Sequence, residues 1–112
     1  MNEINEIIKE IIKFRDEREW AQFHDSKNLA SAISIEASEL NELFLWKTTE
    51  ESEKVDKTKI KEELADILIF SFLLAHRHNY NIQEIIMDKI HINAKKYPIK
   101  KSKGKHTKYT DL

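Results

Sequence analysis

Cysteine, glycine and proline are the residues that this chain lacks or has least of. Its 112 residues include no cysteine, one glycine and one proline. Without cysteine there is neither a disulfide framework nor a thiolate zinc site. A β-sandwich or β-barrel is disfavoured because its many turns need glycine and proline. The composition instead predicts one all-α domain.

Targeting and membrane signals are also missing. The N-terminal residues Met1 to Ile4 contain neither the basic region nor the apolar core of a signal peptide. The apolar run around residues 67–75 is interrupted by Ser71 and is too short to span a bilayer. We therefore expect a cytoplasmic protein with no membrane partner.

The net charge of −1 conceals a strong asymmetry along the chain. Residues 1–94 contain 12 Lys and Arg against 19 Asp and Glu, whereas residues 95–112 contain seven Lys against Asp111. We divide the chain into a helical domain, residues 1–98, and a basic tail, residues 99–112. Such tails are most often solvated and sometimes contact nucleic acid. The alternative is a flexible lid that turns at Gly104 and brings its lysines to phosphates.

Hydrophobic periodicity predicts four helices. The first is amphipathic and reaches about residue 17, with the charged run 15–19 as a solvated end. The second covers about residues 27–47, and a polar loop, 48–56, separates it from a third that ends near residues 77–79. The fourth covers residues 82–97 and is ended by Pro98. Candidate N-terminal caps are Asp25 or Ser26 for the second helix, Asp56 or Thr58 for the third, and Asn81 with Glu84 for the fourth.

The third helix is apolar on nearly all its faces between Leu64 and Leu74. A four-helix domain of this size cannot surround one of its own helices completely. We therefore predict a four-helix bundle completed by oligomerisation, as a dimer or a dimer of dimers.

Two carboxylate pairs stand out: Glu36 with Glu39 on the second helix, and Glu63 with Asp66 on the third. Residues three apart share a helix face, and in both cases that face is the apolar, core-facing one. Unpaired carboxylates are expensive there because desolvation raises their pKa or unfolds the chain. No nearby run supplies four cationic side chains, so a hard divalent metal is predicted to compensate them.

The ligand types narrow the choice of metal. Di-iron bundles use Glu-x-x-His pairs, whereas here only Asp88-x-x-His91 has that form, without a second copy. His76 and His78 are two residues apart and do not share a helix face. An all-oxygen set predicts Mg²⁺, with Mn²⁺ as the alternative, completed by the phosphates of a small-molecule substrate.

Two further groups of residues have a structural and a functional interpretation. Trp20, Phe23 and His24 precede the second helix, where they either close the end of the bundle or form a platform for a planar ring. Lys89, Asn93 and Tyr97 recur every four residues along the fourth helix. They form either the polar edge of an amphipathic helix or a ladder of donors for a ligand.

The arrangement Glu36-x-x-Glu39 followed by Glu63-x-x-Asp66 resembles the metal motif of the MazG-like all-α nucleoside triphosphate pyrophosphohydrolases. The resemblance covers nearly the whole chain and is closest to the dCTP pyrophosphatase branch of that family. Besides the carboxylates, the segments that carry it are residues 18–24, 28–29, 39–47, 62–66 and 108–112, together with Lys89, Asn93 and Tyr97-Pro98.

The resemblance implies Mg²⁺-dependent hydrolysis of a deoxynucleoside triphosphate, with dCTP or 5-modified dCTP favoured, to a monophosphate and pyrophosphate. It also implies a homotetramer of helical subunits and no nucleic-acid partner. The implied metal ligands are Glu36, Glu39, Glu63 and Asp66, with Glu36 or Glu39 also orienting the attacking water. The implied substrate contacts are Trp20, Phe23, His24 and Trp46 at the base, Lys89, Asn93 and Tyr97 at sugar and phosphates, and Phe70, where the vertebrate branch has Tyr.

Two other classes of function remain open at this point. A nucleotide-binding or sensor protein would keep the pocket without turnover. A structural helical oligomer would hold nucleic acid through its basic tail, and its binding would be sensitive to salt.

Overall fold

The long helices begin where a side chain can cap the free backbone N–H groups of the first turn. In the computed structural model, which describes residues 2–112, these helices are α1 (Glu3–Glu17), α2 (Ser26–Glu42), α4 (Lys57–Arg77) and α5 (Ile82–Lys96). Two single-turn helices, α3 (Thr49–Ser52) and α6 (Ile99–Ser102), and two 3₁₀ turns, Ala21–Phe23 and Tyr109–Asp111, complete the secondary structure. No strand occurs between residues 2 and 112, and the predicted all-α fold is confirmed.

The observed caps agree with those expected from the sequence. The Asp25 carboxylate accepts a hydrogen bond of 2.7 Å from the Asn28 N–H at the start of α2. Asp56 accepts one from the Thr58 N–H at the start of α4. At the start of α5 the Asn81 side chain accepts from the Glu84 N–H, as in the first half of a capping box.

The second helix ends earlier than predicted. Regular helix stops at Glu42, and the backbone N–H groups of the next three residues donate to carbonyls three residues back instead of four. Trp46 then has a φ of 64°, in the left-handed region. The prediction that the helix reaches residue 47 was therefore wrong. No glycine or proline in residues 43–47 signals the earlier end.

The predicted polar loop, 48–56, contains one helical turn. The Thr48 hydroxyl accepts from the Glu51 N–H, and the Glu51 carboxylate accepts from the Thr48 N–H, which together form a capping box. The sequence signal for this turn, Thr-x-x-Glu, was present in a segment interpreted as irregular.

The chain divides into two units, of which the first ends at Asn79 and contains α1 to α4. Within it α4 packs mainly against α2 and also contacts α1. Leu29 of α2 and Leu73 and Ala75 of α4 are buried, and Leu29 is only 1% exposed. The pairing of α2 with α4 brings together the two helices that carry the carboxylate pairs.

The second unit, Tyr80–Leu112, contains α5, α6 and the last 3₁₀ turn. Its tail is more ordered than a segment without hydrophobic periodicity suggests. The Tyr109 ring lies edge-on to the Tyr97 ring at 5.9 Å between centroids, and the Lys96 ammonium lies 4.8 Å from the centre of the Tyr109 ring. Gly104 has a φ of 75°, a left-handed conformation that glycine adopts readily. The chain therefore turns at Gly104, where the sequence allowed a turn.

Among residues 2–112, no helix combines the length and apolar character needed to cross a membrane.

Candidate active site

Three carboxylates from α2 and α4 form the centre of the candidate site. Glu36, Glu39 and Glu63 each offer an oxygen within 4.8 Å of those of the other two. The i, i+3 spacing places the first two on one face of α2, and the packing of α4 against α2 brings Glu63 to them. Three like charges so close repel one another unless protons or a cation intervene.

The environment of this acidic cluster (Glu36, Glu39 and Glu63) suits a cation. Glu36 and Glu63 are half-buried, and in each the Oε2 atom is buried without a hydrogen-bond partner. Leaving buried carboxylate oxygens unpaired is costly. A hard divalent cation such as Mg²⁺ prefers oxygen ligands and would satisfy both atoms at once. The residues present therefore fit the group that the motif predicts.

Burial and the crowding of these carboxylates also raise the pKa of Glu36. Burial, then the adjacent Glu39 carboxyl group, and then the charges of Asp66 and Glu63 raise the pKa of Glu36 to about 7. Burial and the neighbouring Glu39 also raise the pKa of Glu63. Near neutral pH Glu36 is therefore partly protonated, and a bound metal ion would displace that proton.

The fourth predicted ligand, Asp66, lies near the cluster but is not among the carboxylates whose oxygens approach one another within 4.8 Å. It is exposed, and its charge contributes to the raised pKa of both Glu36 and Glu63. Glu39 is exposed as well. The expectation that all four carboxylates occupy core-facing positions was therefore wrong for these two, because both lie at the edge of the apolar stripe, towards solvent.

A cavity of about 610 Å³ opens beside Asp66, between α1, the first 3₁₀ turn and α4. This volume is typical of small-molecule sites. Its lining combines apolar and aromatic side chains with charged side chains of α1 and with Asp66. The lining residues are Glu10, Ile11, Lys13, Phe14, Arg15, Glu17, Trp20, His24, Asp66, Ile69, Phe70 and Leu73.

Two of the predicted base contacts, Trp20 and His24, meet at this cavity with Phe70, which was predicted as a further substrate contact. The His24 and Phe70 rings lie edge-on at 6.3 Å between centroids. Burial, and then the positive charge of Arg15, lower the pKa of His24 below its ordinary value, which favours a neutral imidazole. The His24 Nδ1 atom is buried without a hydrogen-bond partner.

The other two predicted base contacts lie elsewhere. Phe23, on the 3₁₀ turn, is 60% exposed, and Trp46 is 92% exposed beyond the end of α2. Both are outside the lining of the cavity. The early end of α2 turns Trp46 to the surface, so the structure of this unit does not bring it to the site.

The predicted donor ladder, Lys89, Asn93 and Tyr97, lies on or just after α5 in the second unit. Tyr97 follows the last turn of α5, where its N–H donates to the Asn93 carbonyl at 2.8 Å. The Lys89 and Asn93 side chains are exposed. Their roles toward a substrate stay predictions.

Sequence reasoning missed the part of the cavity that α1 provides. The run 15–19 was interpreted as a solvated end, yet the Arg15 side chain is only 18% exposed, bonds to Asp16 and lines the cavity. Phe14 lines it as well. The available signal was an aromatic residue six positions before Trp20, at the end of an otherwise aliphatic helix.

The chain is similar to known proteins along most of its length. Residues 31–112 match the MazG-like family. The chain is 39% identical to dCTP pyrophosphatase 1 of Bos taurus and 36% identical to that of Homo sapiens, over 89% of this chain and 62% of each relative. It thus spans somewhat less than two thirds of the length of these curated relatives. A solved pyrophosphatase from Archaeoglobus fulgidus superposes with a TM-score of 0.83 at 36% identity, covering 88% of this chain and 94% of that chain.

Proposed function

We propose that this chain, which belongs to the MazG-like family, is a nucleoside triphosphate pyrophosphohydrolase. Its carboxylate motif predicted this family. The proposed reaction is Mg²⁺-dependent hydrolysis of a deoxynucleoside triphosphate between the α and β phosphorus atoms. The products are a monophosphate and pyrophosphate. The proposed substrate is dCTP or a 5-modified dCTP.

The observation that carries the proposal is the acidic cluster with its two buried, unpartnered carboxylate oxygens. Such a cluster is costly in a merely structural helical protein. It is useful where a divalent cation must be held next to phosphates. When bound, Mg²⁺ would neutralise phosphate charge and lower the pKa of a nearby water.

The protein's own residues have distinct roles in this proposal. Glu36, Glu39 and Glu63 hold the metal from two helices, with Asp66 completing the set at the mouth of the cavity. Either Glu36 or Glu39 orients the attacking water.

The cavity beside Asp66 is proposed to bind the base. Trp20 and Phe70 offer aromatic surfaces, and stacking on a base contributes about 1–3 kcal/mol. The His24 ring, whose lowered pKa favours the neutral form, lines the same cavity. A preference for cytosine is supported by the similarity to the mammalian dCTP pyrophosphatases.

The first experiment is a panel of the common dNTPs, 5-methyl-dCTP and the NTPs with Mg²⁺, with the phosphate products identified. We expect pyrophosphate and a monophosphate, with dCTP or its 5-methyl form giving the highest kcat/KM. Release of orthophosphate instead would contradict the proposed bond. Binding of dCTP without any product would favour the alternative of a non-catalytic nucleotide sensor.

A matched pair of variants tests the acidic cluster. Glu63→Gln removes one charge from the cluster and should lower pyrophosphate release by about a hundredfold or more, because several kcal/mol of charge stabilisation are lost. Glu62→Gln changes the neighbouring exposed carboxylate and should leave the rate within about twofold of wild type. Both should retain a helical circular dichroism spectrum. Equal activity of the two variants would refute the assignment.

We also propose a homo-oligomer, with a tetramer as the expected form. Large apolar side chains are exposed on α4, at Leu64 and Leu68, and on α5, at Ile86 and Ile90, with exposures of 46–51%. Such surface is unusual on a monomer and is typical of an interface. The cytoplasmic location, the lack of nucleic-acid and membrane partners, and the division at residue 98 stay predictions.

A further inference from the structure

The chain turns sharply after α1 at Glu19, a position where glycine would be expected. Glu19 has a φ of 54°, in the left-handed region where glycine is preferred. Its N–H donates to the Asp16 carbonyl at 3.0 Å, and the Trp20 N–H donates to the Arg15 carbonyl at 3.1 Å. This pair of bonds is a Schellman motif, which reverses the chain after the helix. The reversal carries Trp20 back over the last turn of α1.

The Trp20 ring therefore contacts Phe14 on that turn. Their ring centroids are 5.7 Å apart at an interplanar angle of 77°, an edge-to-face arrangement. Both residues line the cavity, where Phe14 is 50% exposed and Trp20 is 43% exposed. At this exposure, packing against Phe14 alone leaves the Trp20 side chain free to change rotamer. A further contact is needed to hold it.

Arg18 supplies that contact from outside the cavity. Its Nη1 donates to the Phe14 carbonyl at 2.9 Å, and its guanidinium carbon lies 3.7 Å from the centre of the Phe14 ring. The same guanidinium is 6.0 Å from the centre of the Trp20 ring, within reach of a cation–π interaction. Arg18 does not line the cavity itself.

We propose that Arg18 and the left-handed turn at Glu19 are positioning residues that hold Trp20 as a preformed stacking wall for the planar ring of the substrate. The inference rests on the proposed function of the cavity. A preformed wall lowers the entropy that binding must remove, and its benefit is the same in the ground state and the transition state. Its loss therefore appears in KM, with kcat retained.

Substitutions of Arg18 test the guanidinium directly. Arg18→Ala should raise KM for the preferred dNTP about three- to tenfold and change kcat less than twofold. Arg18→Lys keeps the charge but loses the planar stack and should behave much like alanine. Lys9→Ala removes an exposed cation from the same helix and should leave KM unchanged. If Arg18 only stabilises the helix end, Arg18→Ala will lower the melting temperature with KM unchanged, and the inference is overturned.

Substitutions of Glu19 test the turn without touching either ring. Glu19→Gly suits a left-handed φ and should keep the wild-type KM. Glu19→Val strains that backbone conformation and should raise KM by the same factor as Arg18→Ala. Equal KM values for the glycine and valine variants would contradict the role of the turn.

A fluorescence measurement separates this inference from the proposed function. The chain has two tryptophans, so Trp46→Phe leaves Trp20 as the only reporter. In that background Arg18→Ala should increase acrylamide quenching of Trp20 about twofold, whether or not any nucleotide is hydrolysed. Unchanged quenching overturns the inference. Absence of pyrophosphate release in the wild type overturns the proposed function alone.

Discussion

Mg²⁺ binding to the acidic cluster should become tighter as pH rises from 6 to 8. The pKa of Glu36 is raised to about 7, so at pH 6 the Glu36 carboxyl group is mostly protonated, and the metal must displace that proton. At pH 8 it is already mostly ionised. For one group with that pKa, the apparent Kd for Mg²⁺ falls by about tenfold between pH 6 and pH 8.

Isothermal titration with Mg²⁺ at pH 6, 7 and 8 measures this change. Repeating the titration in two buffers of different ionisation enthalpy counts the protons released, and about half a proton is expected from Glu36 at pH 7. Glu62→Gln should show the same tenfold change, because Glu62 is exposed and is not part of the cluster. An identical Kd at pH 6 and pH 8, with no release of protons, would refute the reasoning.

The same shift determines how the metal-free protein responds to pH. Because the pKa of Glu36 is higher in the folded state than its value of 4.5 in a model compound, the folded state binds more protons between pH 4.5 and 7. The free energy of unfolding therefore falls as pH rises through that window. After allowance for solvent screening, the loss is roughly 1–2 kcal/mol. Glu36→Gln should remove this decline in a urea titration series.

Three further predictions concern packing, capping and assembly. Leu29→Ala should lower the free energy of unfolding by about 2–5 kcal/mol because the residue is 1% exposed, whereas Ile35→Ala, 58% exposed on the same helix, should cost less than about 1 kcal/mol. Asp25→Ala should cost about 1 kcal/mol through loss of the α2 cap, and Asp25→Asn much less, since asparagine also caps. Sedimentation at micromolar concentration should show an oligomer, and Ile86→Glu should shift it to smaller species because it places charge on an exposed apolar face.

Each of these predictions has an outcome that contradicts it. Equal costs at Leu29 and Ile35 in urea unfolding would mean that the α2 core is not packed as described. A cap variant as stable as wild type would show that solvent replaces the Asp25 side chain. A wild-type monomer at micromolar concentration would rule out the oligomer and leave the exposed isoleucines unexplained.

Local features of the chain were predictable because their causes lie within a few residues. The cap at Asp25 and the capping signal at Asn81 depend on side chains that bond three positions along the chain. The pairing of Glu36 with Glu39 on one face follows from helix geometry alone. The prediction of a divalent-metal site needed only the chemistry of carboxylates on an apolar stripe. The family assignment needed their spacing together with the other matching segments, among them Trp20, Trp46 and Tyr97-Pro98.

The composition of the cavity was not predictable in this way. Its walls come from α1 and α4, which are separated by about half of the chain, and the contact between them depends on packing. Phe14 and Arg15 belong to an amphipathic helix whose end looked solvated. Trp46 lay on the apolar stripe of α2 by periodicity, but the helix ends before it and no local signal marks that end.

The sequence by itself therefore determined an all-α chain with two carboxylate pairs on the faces of two helices, because hydrogen bonding and periodicity act over one or two turns. The tertiary structure decided that Glu63 meets Glu36 and Glu39, and that Trp20 folds back onto Phe14 through a left-handed turn at Glu19. The fold-back of Trp20 is local, and no glycine marks its left-handed turn. The meeting of the carboxylates depends on contacts between α2 and α4, which are well separated in the chain. Such contacts are selected by shape and burial, which no short stretch of residues contains.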